Sequence, residues 1–313
     1  MEIVVFGAGS LGSLLGGVLA REHDVTLVGR DPHASAVRDS GLRVEGAFEG
    51  TTTPNATTDG TGLSGDVALV TVKAFDTSEA AAALATGEFD AVCSLQNGMG
   101  NEETLAEHLD CEILAGTATC GAILQDPGVV ECTGRGELVV GAADGGESST
   151  ADSLAAAFRD VGFDADAVDD MPRRLWAKLA VNAGINAVTA LARVENGALL
   201  SGDANDLARA AARETARVAR ARDVPLSNRE ALARVEAVAE GTATNTSSMR
   251  QDVEAGRRTE VDAINGYVVD AATEARRELD LDVPTNRVLT RLLRAWERGH
   301  GVRGAPDSGP SDS

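Results

Sequence analysis

Lys178, Asn182 and Asn186 recur every four residues within PRRLWAKLAVNAGIN, residues 172–186. On a helix this spacing drifts by about 40° per step, so one cation and two amides share a face. The same segment carries Asn182, Gly184 and Asn186, all poor helix formers, and a glycine inside a helix costs about 1 kcal/mol relative to alanine. The expectation is that something other than helix stability selected them. Only two of the 28 basic residues are lysines, Lys73 and Lys178. Arginine stays charged at any ordinary pH, whereas a lysine can give up a proton, so these two positions are candidate proton donors.

A second chemical signal stands at the start of the chain. EIVVF (2–6) leads directly into GAGSLG (7–12) and then into an apolar helical pattern through about residue 21. Strand, tight turn and helix N-terminus are the context in which GxGxxG marks a dinucleotide site. Gly7 allows the sharp turn, Gly9 lets the backbone approach a pyrophosphate, and Gly12 permits close helix packing. Ala8, Ser10 and Leu11 complete the loop, whose first-turn N–H groups would hold the phosphates. A strand at 24–29 ends at Arg30, and an arginine there meets a 2′-phosphate, which favours NADP(H) over NAD(H). Asp31 stands beside it and could serve the ribose of NAD if the strand ends one residue later.

Lys73 closes a buried strand at 66–72, and Asn97 follows another at 90–95. Ligands of open parallel sheets bind beyond the carboxyl ends of the strands, so both point toward a cofactor. Asp76 to Glu79 has the form of a capping box, as does Ser227 to Glu230. Residues 32–65 read as a crossover with a short helix at 34–40 and strands at 42–45 and 48–53. A helix at 102–109, strands at 112–115, 129–132, 137–141 and 165–168, and a helix at 153–158 complete the pattern. Residues 117–121 read as a small-residue connection. Beyond Pro172 the pattern is helical, at 203–222, 231–240, 248–253, 260–278 and 284–298. The fold expected is α/β: a Rossmann-type dinucleotide-binding domain over 1–171, an all-helical domain over 172–298, and a tail at 299–313 with the composition of a disordered segment.

The net charge of −21 and pI near 4.5 exclude nucleic acid and anionic membrane as natural partners, because both repel such a surface. Excess carboxylates with scarce lysine suggest adaptation to high salt, where their repulsion is screened. Cys93, Cys111, Cys120 and Cys132 show no metal-ligand spacing and read as small apolar residues. The histidines His23, His33, His108 and His300 form no motif and read as ordinary surface or turn residues. No metal site is expected. With no basic leader and no apolar run approaching 18 residues, the chain reads as soluble and cytoplasmic.

GAGSLG at Gly7, VKAFD at Lys73, LQNG at Asn97, the 178–186 helix and SSMRQDVEAGRRTEVDAINGY from Ser247 together resemble the ketopantoate reductases (2-dehydropantoate 2-reductases) over roughly residues 1–298. The resemblance implies a Rossmann domain followed by a helical domain like that of 6-phosphogluconate dehydrogenase, with the active site between them. It implies NADPH-dependent reduction of ketopantoate to pantoate in coenzyme A biosynthesis. By matching motif, Lys178 would be the catalytic lysine and Glu260 the carboxylate that pairs with substrate. Asn182, Asn186, Asn196 and Ser248 would bind substrate, and Lys73 and Asn97 would lie on the cofactor side. Read without the resemblance, Glu260 in its acid-rich run has a solvated helix face as its default, and Ser248 a helix cap. Alternatives are a related reductase of another 2-oxo or 3-hydroxy acid, or a dinucleotide-binding redox sensor without catalysis. The oligomeric state is left open, a homodimer included.

Overall fold

The central strand β1 (Glu2–Phe6) buries Ile3, Val4 and Val5 in succession, as a parallel strand covered on both faces must. The computed structural model describes residues 1–275 and 281–304. From β1 the chain runs through α1 (Ser10–Leu19), β2 (Asp24–Val28), α2 (His33–Ser40), β3 (Leu42–Gly46), β4 (Gly50–Thr52), β5 (Asn55–Thr57) and β6 (Gly65–Val70). It continues with α3 (Thr77–Leu84), β7 (Phe89–Ser94), α4 (Asn101–Ala106), β8 (Glu112–Ala118), β9 (Gly121–Asp126), β10 (Val129–Gly134), β11 (Glu137–Ala142), α5 (Ser149–Asp160) and β12 (Asp164–Ala167). The 22-residue α6 (Met171–Ala192) follows. Two compact units result, Met1–Leu175 and Trp176–Ser313.

In the first unit an eight-stranded sheet has the order β12-β11-β8-β7-β6-β1-β2-β5. Strands β5 through β8 are parallel, β11 runs antiparallel to β8, and β12 lies parallel to β11. The order reverses around β1, which has β2 on one side and β6 on the other, so the turn after β1 opens at the switch point of a doubly wound sheet. This is the Rossmann-type α/β architecture expected from the glycine loop. A four-stranded sheet, β4-β3-β10-β9, forms a second layer. Helix α1 is sandwiched between the layers: a Cβ on Gly16 would come within 2.3 Å of Leu27 in β2, and one on Gly17 within 2.8 Å of Leu42 in β3. The core joining them includes Val5, Leu14, Leu27, Leu42, Val44, Leu69, Val130 and Phe158. Each such buried side chain contributes about 1.5–3 kcal/mol.

Several expectations need correction here. The connection expected at 117–121 shrinks to 119–120: β8 runs to Ala118, and β9 begins at Gly121, where small and polar residues hid the strand. The polar edge strand β5 was also unforeseen. Asp76 does not cap α3 with its side chain; its carboxylate lies 3.4 Å from Arg30 instead. His33 is buried rather than superficial. Helix α6 is long and apolar enough by mean hydropathy to cross a membrane, although Lys178, Asn182 and Asn186 interrupt it, and 72% of its apolar window is buried inside the fold.

The second unit is built from α7 (Gly202–Ala221), α8 (Asn228–Gly241), α9 (Ser248–Glu254), α10 (Tyr267–Ala275) and α11 (Pro284–Gly299), with the greater part of α6. Helices α6 and α7 approach closely because both present small residues. A Cβ on Gly184 would stand 2.9 Å from the Ala208 carbonyl oxygen and 3.4 Å from Val235 of α8. Gly184 therefore has a packing reason, which is the something other than helix stability that its place in α6 called for. A buried polar chain locks four elements together. The Asn265 amide donates to the Ala183 carbonyl of α6 at 3.0 Å and to Asn286 Oδ1 at 2.9 Å. The Asn286 amide in turn donates to Glu214 of α7 at 2.8 Å and to the Ala211 carbonyl at 3.1 Å. The Glu214 carboxylate also accepts the N–H groups of Thr285 and Asn286, both at 2.9 Å, closing the N-terminus of α11.

Of the expected helix at 260–278, a π-turn (Asp262–Gly266) forms the start and α10 the rest, with residues 276–280 outside the described residues. Within the expected tail, Gly299 closes α11 and Arg303 is ion-paired to Glu297 and Asp262. Residues 305–313 lie outside the described residues.

Candidate active site

Within the first unit, two of the three loop glycines are required by close contacts and the third leaves space open. Gly7 has φ +115°, and a Cβ there would stand 2.6 Å from the Val72 backbone nitrogen. A Cβ on Gly12 would meet the Gly7 carbonyl oxygen at 2.3 Å and the Thr71 hydroxyl at 2.5 Å. A Cβ on Gly9 would meet nothing nearer than 4.0 Å, so the space on that side of the loop is open. Gly9 is the N-cap of α1, and no side chain caps that helix. The first-turn N–H groups and the positive end of the helix dipole thus fit a pyrophosphate. The other loop residues have structural duties. Ala8 donates its N–H to the Val28 carbonyl at 2.8 Å, the Ser10 hydroxyl accepts the Leu124 N–H of β9 at 3.1 Å, and Leu11 packs on the core.

Beyond β2, which ends at Val28, Arg30 has a side chain 89% exposed and reaches Asp76 at 3.4 Å. Asp31 is engaged elsewhere. It accepts from the Ser35 hydroxyl at 2.6 Å and the Ser35 N–H at 3.0 Å, with Arg38 at 3.8 Å. The Ser35 hydroxyl, and then its N–H and Arg38, hold the Asp31 carboxyl below the usual carboxylate range.

Lys73 and Asn97, both half-buried, follow β6 and β7 at the carboxyl edge of the sheet. A residue that sequence reasoning passed over ties their loops together. Gln96, 6% exposed, donates to the Val72 carbonyl at 3.0 Å and to the Thr77 hydroxyl at 2.8 Å. Thr77 Oγ1 lies 2.9 Å from Asn101 Oδ1, and the Asn101 amide donates to the Asn97 carbonyl at 3.3 Å. His33, expected at the surface, also has a structural role. The Gly128 N–H donates to its Nδ1 at 3.0 Å, which leaves Nε2 protonated and donating to the Ser13 hydroxyl, also at 3.0 Å. The ring thereby joins α1, α2 and the β9–β10 turn beneath the glycine loop. Burial lowers its pKa.

Within the second unit, α6 carries Lys178, Asn182 and Asn186 on successive turns. Lys178 and Asn182 are half-buried, and Asn186 is 6% exposed. One turn further on, the Thr189 hydroxyl lies 2.7 Å from the Ser247 hydroxyl. Ser247 is the N-cap of α9, accepting the Arg250 N–H at 3.2 Å. The capping role considered for Ser248 therefore belongs to its neighbour, and Ser248 itself is exposed. Glu260 is 6% exposed and precedes the π-turn, so the solvated helix face is not its setting. Asn196 is equally buried; its amide donates to the Thr242 hydroxyl at 2.9 Å, and its Oδ1 is buried without a hydrogen-bond partner among the described residues. One ammonium, several amides, a hydroxyl and a buried carboxylate are the groups needed to bind a small oxygen-rich acid and to deliver a proton. Among the described residues, no group of three or more His, Cys, Asp or Glu could hold a metal ion.

Comparison with known proteins bears on the same residues. The family model described as "Ketopantoate reductase PanE/ApbA" matches residues 3–145, and "Ketopantoate reductase PanE/ApbA C terminal" matches residues 170–297. A 2-dehydropantoate 2-reductase from Halobacterium salinarum is 43% identical over 95% of this chain and 99% of its own length. One from Archaeoglobus fulgidus is 40% identical over 95% of this chain and 98% of its own. The crystal structure of a PanE/ApbA family ketopantoate reductase from Ralstonia eutropha superimposes with a TM-score of 0.86 at 35% identity, covering 96% of this chain and all of that one. Loop, helical unit and relatives agree, and the chain belongs to the ketopantoate reductase family of NAD(P)-dependent oxidoreductases.

Proposed function

We propose that the protein reduces 2-dehydropantoate to pantoate with NADPH, serving pantothenate and coenzyme A synthesis in the cytoplasm. The observation that carries this reading is the α6 face, where Lys178 and Asn182 remain partly exposed while Asn186 is buried on the turn beyond. When bound, the cofactor supplies the hydride. In this reading residues 1–171 hold it, with the Gly9 backbone and the α1 N-terminus on its phosphates, Arg30 on a 2′-phosphate, and Lys73 and Asn97 nearer the nicotinamide. The engagement of Asp31 with Ser35 supports Arg30 as the discriminating residue, and hence NADP(H).

Residues 172–298 then act on substrate. A ketone carbon that gains hydride leaves negative charge on its oxygen, and the Lys178 ammonium meets that charge and donates the proton. Asn182, Asn186, Asn196 and Ser248 orient the carboxylate and carbonyl. The Glu260 carboxylate accepts from the substrate's primary hydroxyl, a role its burial supports. Burial of most of α6 inside the fold favours a soluble protein.

Steady-state kinetics of Lys178→Ala tests the proton donor. The expected kcat falls by about 10²- to 10⁴-fold, with cofactor affinity little changed. Wild-type turnover by that variant would end the assignment of Lys178 as the acid.

A further inference from the structure

Glu260 is gripped on both sides by a charged cluster whose members come from elsewhere in the second unit. The preceding residue, Thr259, is 1% exposed; its N–H and hydroxyl donate to Glu297 Oε1 at 2.8 and 2.6 Å. The following residue, Val261, donates its N–H to the same Thr259 hydroxyl at 3.3 Å. Glu297 is fully buried near the end of α11, and its other oxygen accepts from Arg303 Nε at 2.5 Å. Arg303 spends its remaining fork on Asp262, which opens the π-turn. Arg294 donates to the other Asp262 oxygen at 2.7 Å, and Arg258 lies 3.6 Å from the first.

Burial pushes the Asp262 carboxyl up, but the hydrogen bonds from Arg303 and Arg294 outweigh it and leave the group below its usual range. Asp262 is therefore held as an anion. A partly buried charge network of this kind, closed on the fully buried Glu297, contributes little net stability compared with apolar packing while fixing geometry strongly. The only residue between its two attachment points, Thr259 and Asp262, besides Val261 is Glu260. The cluster thus fixes the backbone that aims one carboxylate.

We infer that Arg303, joining Glu297 to Asp262, is a positioning residue that sets substrate affinity by holding Glu260 in place. This rests on the reading of Glu260 as the carboxylate that receives the substrate hydroxyl. Only a planar guanidinium can bond both carboxylates in this fork, so lysine is a partial substitute.

The test is a double-mutant cycle on the full chain with ketopantoate and NADPH. Arg303→Ala is expected to raise KM for ketopantoate by about ten- to a hundredfold, the effect of a misplaced binding group, with KM for NADPH unchanged. Arg303→Lys should recover part of the loss. In a Glu260→Ala background, Arg303→Ala should add nothing, because the group it positions is gone. An unchanged KM in Arg303→Ala, a fall in melting temperature alone, or the same KM increment in both backgrounds overturns the inference. A wild-type KM in Glu260→Ala alone removes instead the substrate role of Glu260, and this inference with it.

Discussion

Replacing Asn286 by alanine strips the centre of the polar chain that joins α6, α7, the π-turn and α11. Three hydrogen bonds are lost: to Glu214 at 2.8 Å, to the Ala211 carbonyl at 3.1 Å, and from Asn265 at 2.9 Å. The bond to the carboxylate is charge-assisted and contributes about 1.5–3 kcal/mol, and each neutral bond about 0.5–1.5 kcal/mol. Glu214 keeps the Thr285 and Asn286 N–H groups, and Ala211 keeps the Thr215 hydroxyl, so the losses are partly absorbed. The net destabilisation is about 3 kcal/mol, or about 5 °C in melting temperature for a chain of this size. Asn286→Asp preserves volume yet is expected to be worse, because a second carboxylate would then face Glu214. Thermal melts followed by circular dichroism in high salt give the ranking. A shift under about 2 °C for the alanine variant, or a milder aspartate variant, refutes the network as a determinant of this unit's stability.

Three further outcomes follow from the geometry. Neutral His33 accepts the Gly128 N–H and has a lowered pKa, so its contribution is present above the ordinary imidazole value of 6.5 and is lost as pH falls below it. Melting temperature should drop between about pH 7 and pH 5, and His33→Gln should flatten that drop; parallel profiles count against the histidine. Arg30→Ala should raise KM for NADPH by about 10- to 100-fold while leaving NADH nearly unaffected, and an unchanged ratio of the two removes Arg30 as the discriminating residue. Dialysis from high to low salt should lower the melting temperature steeply, through unscreened repulsion in a chain of net charge −21; indifference to salt contradicts the halophilic reading.

What the sequence made legible was local. The glycine loop could be read because Gly7 and Gly12 answer to contacts made within one strand–turn–helix unit and the strand beside it. Lys178, Asn182 and Asn186 shared a face because helix geometry alone dictates it. Most of what was missed involves distant partners. The reason for Gly184 was hidden because the α7 backbone that demands it is 24 residues on, and Gln96 was passed over because its acceptors, Val72 and Thr77, follow a different strand. Ser247 and Ser248 differ by one residue, and only the fold assigns the cap to the first. Glu260 looked solvated in an acid-rich run, since nothing local announces that Glu297 and Arg303 draw its neighbours inward.

The central claim is most directly tested by incubating the full chain with NADPH and ketopantoate in high salt, following absorbance loss and identifying the product. Ketopantoate-dependent NADPH oxidation with stoichiometric pantoate is expected, slower with NADH. Bound cofactor with no ketopantoate-dependent oxidation of either nucleotide would contradict that claim.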